Sequence, residues 1–451
     1  MGFTSLSFLC FLPIVYLVYL LVPPKVRIHW LLLASYGFCM SFGVKYALIL
    51  LISTAGTWIG GIAIEKLQRR AAGRWTAGGV IILHVLLLCF FKYDKNNLVL
   101  PVGISFYTFQ AIGYLADIYK GTVCAEHNFV RFGVFQAFFP KLVQGPIERS
   151  GSLLEQIRRL EEKRLPDLQH MRDGILLLLW GLFQKLMIAD RIAIPVNAVY
   201  RQFGAFGGAE ILLATFLYAF QIYCDFAGYT NMAQGIAKLF GIELLENFKR
   251  PYLSVSVREF WHRWHISLSN WLRDYVYIPL GGNRKGHIRK YVNIMLTFLI
   301  SGIWHGTGFH FLLWGGMHGG MQILERGWEK TPRAFRWFLT FCFIDVSWMV
   351  FRVNSLGDLK GMFWILIMDF RFRDLAGMEL GRFEWILLAL GILLIVGKDI
   401  LNEKGICLRR WLKERSWPVR LLAYTALLSG IVIFGVYGGA YDTSRFLYTQ
   451  F

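Results

Sequence analysis

Residues 44–64 read VKYALILLISTAGTWIGGIAI, meet the charged block EKLQRRAAGR over 65–74, and give way at 78–91 to a second apolar run, GGVIILHVLLLCFF. These runs are continuous, so the alternation of a half-buried strand does not fit them. About 20 apolar residues wound as a helix match the thickness of a bilayer core. In hydrocarbon only helices and closed barrels satisfy their backbone groups, and a barrel would need alternating segments. The same rhythm recurs along the chain. Apolar runs cover 28–42, 174–188, 211–224, 335–351, 383–397 and 421–437, and charged blocks lie around Arg158, from Lys249 to Lys290, from Glu325, and up to Arg420. The pattern predicts an all-α integral membrane protein of the plasma membrane. It would be a multi-pass bundle of about eleven or twelve transmembrane helices with short re-entrant and interfacial helices.

Composition excludes the soluble alternatives. The 451 residues are 56% hydrophobic and 17% charged, against roughly 25% charged in an ordinary globular domain. The 48 Lys+Arg against 29 Asp+Glu leave +19, which in a soluble chain would suggest nucleic acid. In a membrane protein, cytoplasmic loops collect Lys and Arg and face anionic lipid. Membrane lipid and no nucleic acid are therefore expected as partners. The first run, Ser5 to Val22, lacks the basic start and small-residue cleavage site of a signal peptide. It ends at Pro23-Pro24 and reads as a retained first span. Placing the basic blocks inside puts both termini outside.

The seven cysteines are scattered, with no CxxC pair; they read as small buried apolar residues, with neither a zinc cage nor a disulfide framework. Histidine is different. Six of the ten (His262, His265, His287, His305, His310, His318) lie between positions 262 and 318, and ionisable groups at membrane depth mark sites by default. His318, in FHFLLWGGMHGG, is either a helix-packing histidine or an imidazole beside space left open by Gly315, Gly316, Gly319 and Gly320. His305, in SGIWHGTG, alone reads as an interface histidine. His265 lies in VREFWHRWHISLSNWLRDYVYIPLGGNRKG, whose aromatic and apolar residues recur at helical spacing among Arg258, Arg263 and Arg273, as in an amphipathic helix at the cytoplasmic interface.

No metal is expected. WHRWH has no HExxH pattern, and His305 and His318 are 13 positions apart, which puts them on different faces of one helix. No GxSxG elbow is present. The runs Tyr291 to Trp304 and Phe309 to Met321 are shorter than a bilayer core requires, which would let water and substrate approach His318 from two faces.

Long motifs around these residues resemble the membrane-bound O-acyltransferase (MBOAT) superfamily, in its bacterial AlgI/PatA/DltB-like branch and nearest to the AlgI-like form. They are LPVGISFYTFQAIGYLADIYKG from Leu100, FFPKLVQGPIERS from Phe138, QIYCDFAGYTNMAQGIAKLFGI from Gln221, ENFKRPYLSVSVREFWHRWHISLSNWLRDYVYIPLGGNR from Glu246 and SGIWHGTGFHFLLWGGMHG from Ser301. The resemblance covers nearly the whole chain. It implies a single MBOAT domain with N-terminal spans over 1–130, a catalytic core over 131–325, C-terminal spans over 326–437 and an extracytoplasmic tail over 438–451.

By that resemblance the family's invariant histidine falls on His318, the second catalytic position on His265, and the WHG histidine on His305. Asp225, Tyr229, Asn231, Arg263 and Trp304 are supporting positions. The family's DFSGYSD reads DFAGYTN here, so Asn231 stands where the family has an acid. A histidine in such a site would act as general base on an acceptor hydroxyl that attacks a thioester. The implied activity moves an acyl group, acetyl foremost, from a cytoplasmic donor to hydroxyls of a cell-surface polysaccharide. Acetyl-CoA or an acyl-carrier protein would be the donor substrate, no cofactor is expected to be bound, and an extracytoplasmic SGNH-type transferase is an implied partner. The terminal RFLYTQF resembles an F-x-Y-x-x-F ending in which a tyrosine, here Tyr448, carries the acyl group; an aromatic interfacial anchor is the alternative. D-alanyl transfer to teichoic acid and a non-catalytic flippase or transporter are the competing functions.

Overall fold

Serine and proline punctuate the first helices as the sequence suggests. In the computed structural model, which describes residues 1–67, 71–93, 101–162, 167–328 and 330–437, α1 spans Leu6–Leu21. Its Ser5 hydroxyl accepts the Phe8 N–H at 3.3 Å. Pro23-Pro24 stops it, and Pro24 is the first residue of α2 (Pro24–Met40), where its missing N–H costs nothing. The two runs quoted first become α3 (Val44–Leu67) and α4 (Ala71–Tyr93). Then come α5 (Ile104–Lys120), α6 (Phe129–Ala137), α7 (Phe139–Leu142), α8 (Ser150–Arg159) and α9 (Leu168–Leu182). A π-helical segment, Phe183–Ala189, leads into α10 (Asp190–Arg201) and the long α11 (Gly208–Leu239). The rest comprises α12 (Val257–Arg263), α13 (Ile266–Leu272), α14 (Gly286–His305), α15 (Phe309–Leu324), α16 (Arg333–Arg352), α17 (Leu356–Met368), α18 (Arg382–Glu403), α19 (Leu408–Lys413) and α20 (Trp417–Phe434). Among the described residues the only β-pairing is an isolated bridge between Phe248 and Trp264.

The described helices form an all-α membrane protein. Five of them, α3, α4, α11, α16 and α20, combine the length and apolar content needed to cross a bilayer. The other apolar runs also fold into helices, shorter or more polar than these five among the described residues. α15, with 16 residues, is about 24 Å long, short of the ~30 Å hydrocarbon core. Lipid explains the outer surface: Leu393 and Leu394 of α18 are 66% and 59% exposed, a patch that water would penalise and acyl chains solvate.

Contacts divide the chain into two units, Met1–Trp180 with Tyr229–Glu246, and Gly181–Gly228 with the chain from Asn247 onward. The first unit has an aromatic core in which Tyr229 stacks on Phe3 at 4.6 Å and Phe8 meets Phe38 edge-on at 6.0 Å. Its FFPKLVQGPIERS segment is buried from Phe138 to Glu148. There the Lys141 ammonium donates to Gln110 Oε1 at 2.5 Å, and Glu148 accepts the Leu245 N–H at 2.7 Å. The second unit holds all three candidate histidines.

Candidate active site

The α14–α15 hairpin is built on glycine. A Cβ on Gly302 would lie 2.4 Å from the Phe311 carbonyl oxygen, and one on Gly315 would lie 2.4 Å from that of Phe298. Only bare Cα atoms permit this approach. Gly319 likewise faces Met295, whereas nothing lies within 4 Å of a Cβ on Gly316 or Gly320. Two of the four glycines flanking His318 therefore serve helix contact rather than open space, which corrects the sequence expectation for Gly315 and Gly319. His305 and His318 sit on two helices joined by a turn at Gly306, not on two faces of one helix.

His318 is fully buried. The Trp261 indole N–H donates to its Nδ1 at 3.1 Å, and its Nε2 lies 3.1 Å from the Ser347 hydroxyl oxygen. An indole nitrogen can only donate, so Nδ1 must be the acceptor and the neutral ring carries its proton on Nε2. Ser347 accepts that proton's hydrogen bond and passes its own to the Ile344 carbonyl at 2.7 Å. The chain Trp261–His318–Ser347–Ile344 thus fixes both tautomer and ring orientation. Trp314, Trp261 and Phe343 wall the imidazole edge-on at 4.8, 5.2 and 5.3 Å, and Phe298 stacks at 6.1 Å. Trp314 is shared: it also meets His305 edge-on at 5.0 Å, and His305 packs on Trp304 at 4.5 Å and Phe351 at 5.1 Å.

His265 stands apart from that chain. It is the left-handed hinge, φ +43°, between α12 and α13, so the expected single amphipathic helix is in fact broken there. Such a conformation costs a non-glycine residue roughly 1–3 kcal/mol, and neighbouring hydrogen bonds hold it. The Asn247 carbonyl accepts the Ile266 N–H at 3.0 Å, its side-chain oxygen accepts the Ser267 N–H at 3.1 Å, and the Lys249 backbone N–H donates to the Arg263 carbonyl at 2.9 Å. Phe260, Trp261, Trp264, Leu268 and Trp271 are buried rather than laid along an interface. His265 is 2% exposed and meets Phe226 edge-on at 4.6 Å. It is not a partner of His318; a layer of rings connects them, with Trp264 against Phe260 at 5.4 Å and against Trp348 at 5.0 Å.

Asp225 lies inside α11, 2% exposed, paired at 2.6 Å with Lys185, whose ammonium also meets Asp190 at 2.8 Å. Its neighbour Phe226 is the ring against His265. Arg263 is held by Glu259 at 2.6 Å and Glu403 at 2.9 Å. Tyr229 and Asn231 belong to the first unit, and Tyr448 lies outside the described residues. The seven cysteines are free, but only Cys39 and Cys224 are buried, while Cys10, Cys124 and Cys407 are exposed. Sequence reasoning missed Trp261, Ser347 and Lys185. Lys185 and Ser347 carry a usable signal, a polar residue inside an apolar run (FQKLMIAD, FIDVSWMVF). Trp261 carries none, because an aromatic at helical spacing reads as core.

A cavity of about 270 Å³ is lined by Ser256, Arg258, Met321, Glu325, Arg336 and Thr340. It lies near His318 along all three elements that hold the imidazole. Arg258 precedes Trp261 by three residues on α12, Met321 follows His318 by three on α15, and Thr340 precedes Phe343 by three on α16, each about one 5.4 Å helical turn.

These features define an integral-membrane protein with an enclosed, tautomer-fixed histidine beside a polar cavity. The sequence profile of the membrane-bound O-acyltransferase family, MBOAT, matches residues 123–356. The "Probable alginate O-acetylase AlgI" of Pseudomonas fluorescens is 36% identical over 394 residues, 85% of this chain and 78% of that protein. The "Peptidoglycan O-acetyltransferase" of Helicobacter pylori is 33% identical over 417 residues, 80% and 79% respectively. The "Teichoic acid D-alanyltransferase" of Bacillus subtilis is 28% identical over 262 residues, 54% and 64%. The chain belongs to the membrane-bound O-acyltransferase family and is a multi-pass membrane acyltransferase.

Proposed function

We propose that this acyltransferase moves an acetyl group from a cytoplasmic thioester donor to a hydroxyl of a cell-surface polysaccharide, with His318 as general base. The observation that carries this reading is the Trp261–His318–Ser347 chain: it presents one basic lone pair, at Nδ1, and holds the other nitrogen's proton on a fixed acceptor. The alginate and peptidoglycan acetylases among its relatives support O-acetylation of a polymer.

In the proposed step the acceptor hydroxyl takes the place of the indole N–H at Nδ1 and donates to it. Its oxygen attacks the thioester carbonyl as the proton passes to His318, since imidazole is well matched to removing a hydroxyl proton near neutral pH. The tetrahedral intermediate then expels the thiolate, the carbon–sulfur bond breaks, and the imidazolium returns the proton to sulfur. Ester and thiol leave, and His318 ends in its starting tautomer. Ser347 and Trp261 orient the base. His305 acts through Trp314, and His265 through the hinge that sets Trp261 and Trp264; both are positioning residues. The Lys185–Asp225 pair steadies the stretch of α11 that packs Phe226 on His265.

His318→Ala tests the proposal. The purified variant should keep its melting temperature and lose acetyl transfer to polysaccharide. A folded variant with wild-type transfer would remove His318 from the chemistry, and retained flux of a sugar lipid in vesicles would favour a transporter. Tyr448 is proposed as an acyl carrier on the way to the acceptor. The mass of the C-terminal peptide, from cells whose acceptor is inactivated, should include an acyl adduct, and a bare peptide would exclude it.

A further inference from the structure

Two cations of the second unit stand apart from the ion pairs around them. Arg263 is taken up by Glu259 and Glu403, and Arg250 by Glu403. Arg258 and Arg336 form no ion pair among the described residues, and the enclosed Nε of Arg336 has no hydrogen-bond partner there. Both line the 270 Å³ cavity. The acid that lines it, Glu325, accepts the Val257 and Arg258 N–H groups at 2.5 and 3.1 Å. Ser256 and Thr340 contribute hydroxyls to the same walls. Arg258 is exposed at the cavity and Arg336 is half-buried; two guanidinium groups with no ion-pair partner among the described residues suit an anion there, and their planar fork matches phosphate oxygens.

We infer that this cavity is a phosphate site, in which Arg258 and Arg336 hold the phosphate of a pantetheine-type thioester donor whose acyl end reaches His318. The inference rests on the acyl-transfer reading above and adds the recognition that selects the donor. Length and volume support it. Eleven residues of α16 separate Arg336 from Ser347, a rise of about 16 Å, so a phosphate near Arg336 and a carbonyl near His318 require an extended arm between them. Met321 and Thr340, which line the same cavity, stand between these ends in sequence, one helical turn from His318 and Phe343. At about 270 Å³ the cavity is slightly smaller than ordinary small-molecule pockets of roughly 300–1,000 Å³. That suits a narrow arm and excludes a polysaccharide chain. The same phosphate chemistry is offered by coenzyme A, by the arm of a carrier protein and by a lipid headgroup.

The test compares coenzyme A with pantetheine, which has the same thiol arm without phosphate, binding to the full chain in phosphatidylcholine nanodiscs by calorimetry. Coenzyme A should bind at least tenfold tighter. Arg258→Gln and Arg336→Gln should each remove most of that advantage while leaving pantetheine binding unchanged, and Arg336→Lys should restore part of it. Pantetheine serves as the folding control, because a misfolded variant would lose both ligands. A carrier-protein source would show as tenfold weaker binding of phosphopantetheinylated carrier to the same variants, with coenzyme A equal to pantetheine. A lipid source would show as loss of the coenzyme A advantage when phosphatidylglycerol is added, in wild type only. Equal binding of all three ligands in every disc, or variants indistinguishable from wild type, overturns the inference. No turnover is read, so this result stands apart from that of His318→Ala.

Discussion

Ser347→Ala removes one oxygen from the site and isolates the tautomer argument. Ser347 is fully buried, and its hydroxyl is the partner of the His318 Nε2 proton at 3.1 Å. Alanine leaves that N–H enclosed without an acceptor, at a cost of roughly 1–3 kcal/mol for a buried unsatisfied polar group. The cost falls hardest on the reacting state, in which His318 becomes a cation and both N–H groups seek acceptors. At 1.36 kcal/mol per decade, kcat should fall about 5- to 150-fold. Steady-state acetyl transfer at saturating donor and acceptor measures it, with the melting temperature as control. Ser347→Cys, which keeps a weak acceptor, should lie between the two. An unchanged kcat in a folded Ser347→Ala protein would refute the assignment of Nδ1 as the basic nitrogen, because the Nε2 proton would then need no fixed partner.

Trp261→Phe keeps a ring against Trp314 and Phe298 but deletes the N–H that occupies Nδ1. The acceptor no longer displaces it, so acceptor KM should fall about fivefold for a net hydrogen bond of ~1 kcal/mol, with donor KM unchanged; an unchanged acceptor KM counts against displacement. Lys185→Met leaves two buried carboxylates facing each other and should cost about 3–5 kcal/mol, a large share of a typical total stability of about 5–15 kcal/mol. It should appear as a lower melting temperature that Asp190→Asn with Asp225→Asn largely restores, and a wild-type melt would contradict it. Gly315→Ala, whose Cβ would meet the Phe298 carbonyl, should lose folded protein in fluorescence-detected chromatography, while Gly316→Ala, with open space around it, should not.

Fold class was legible because it is written in composition. Runs such as 44–64 and 78–91 are the continuous apolar stretches a bilayer demands, and they become the cores of α3 and α4, although α4 starts seven residues earlier, inside the charged block. Helix ends at Pro23-Pro24 were legible for a similar reason, since proline's missing N–H acts locally. His318, His305 and His265 were visible as a cluster of ionisable residues in apolar surroundings. Their grouping was not, because the break at His265 depends on hydrogen bonds from Asn247, 18 positions earlier, which no local spacing reports. The pairing of Asp225 was not legible, because its cation lies 40 positions away.

The sequence by itself determined that the chain is a helical membrane protein, with its ionisable chemistry gathered around three histidines. Both follow from local composition, since the bilayer imposes the same demand on every segment. Tertiary structure alone decided which nitrogen of His318 is basic, because Trp261 and Ser347 stand 57 and 29 positions away along the chain. It also decided which glycines close the hairpin and which arginines at the cavity have no ion pair among the described residues. Hydrogen bonds and ion pairs act over a few ångströms of space, so they exist only once distant segments have been brought into contact.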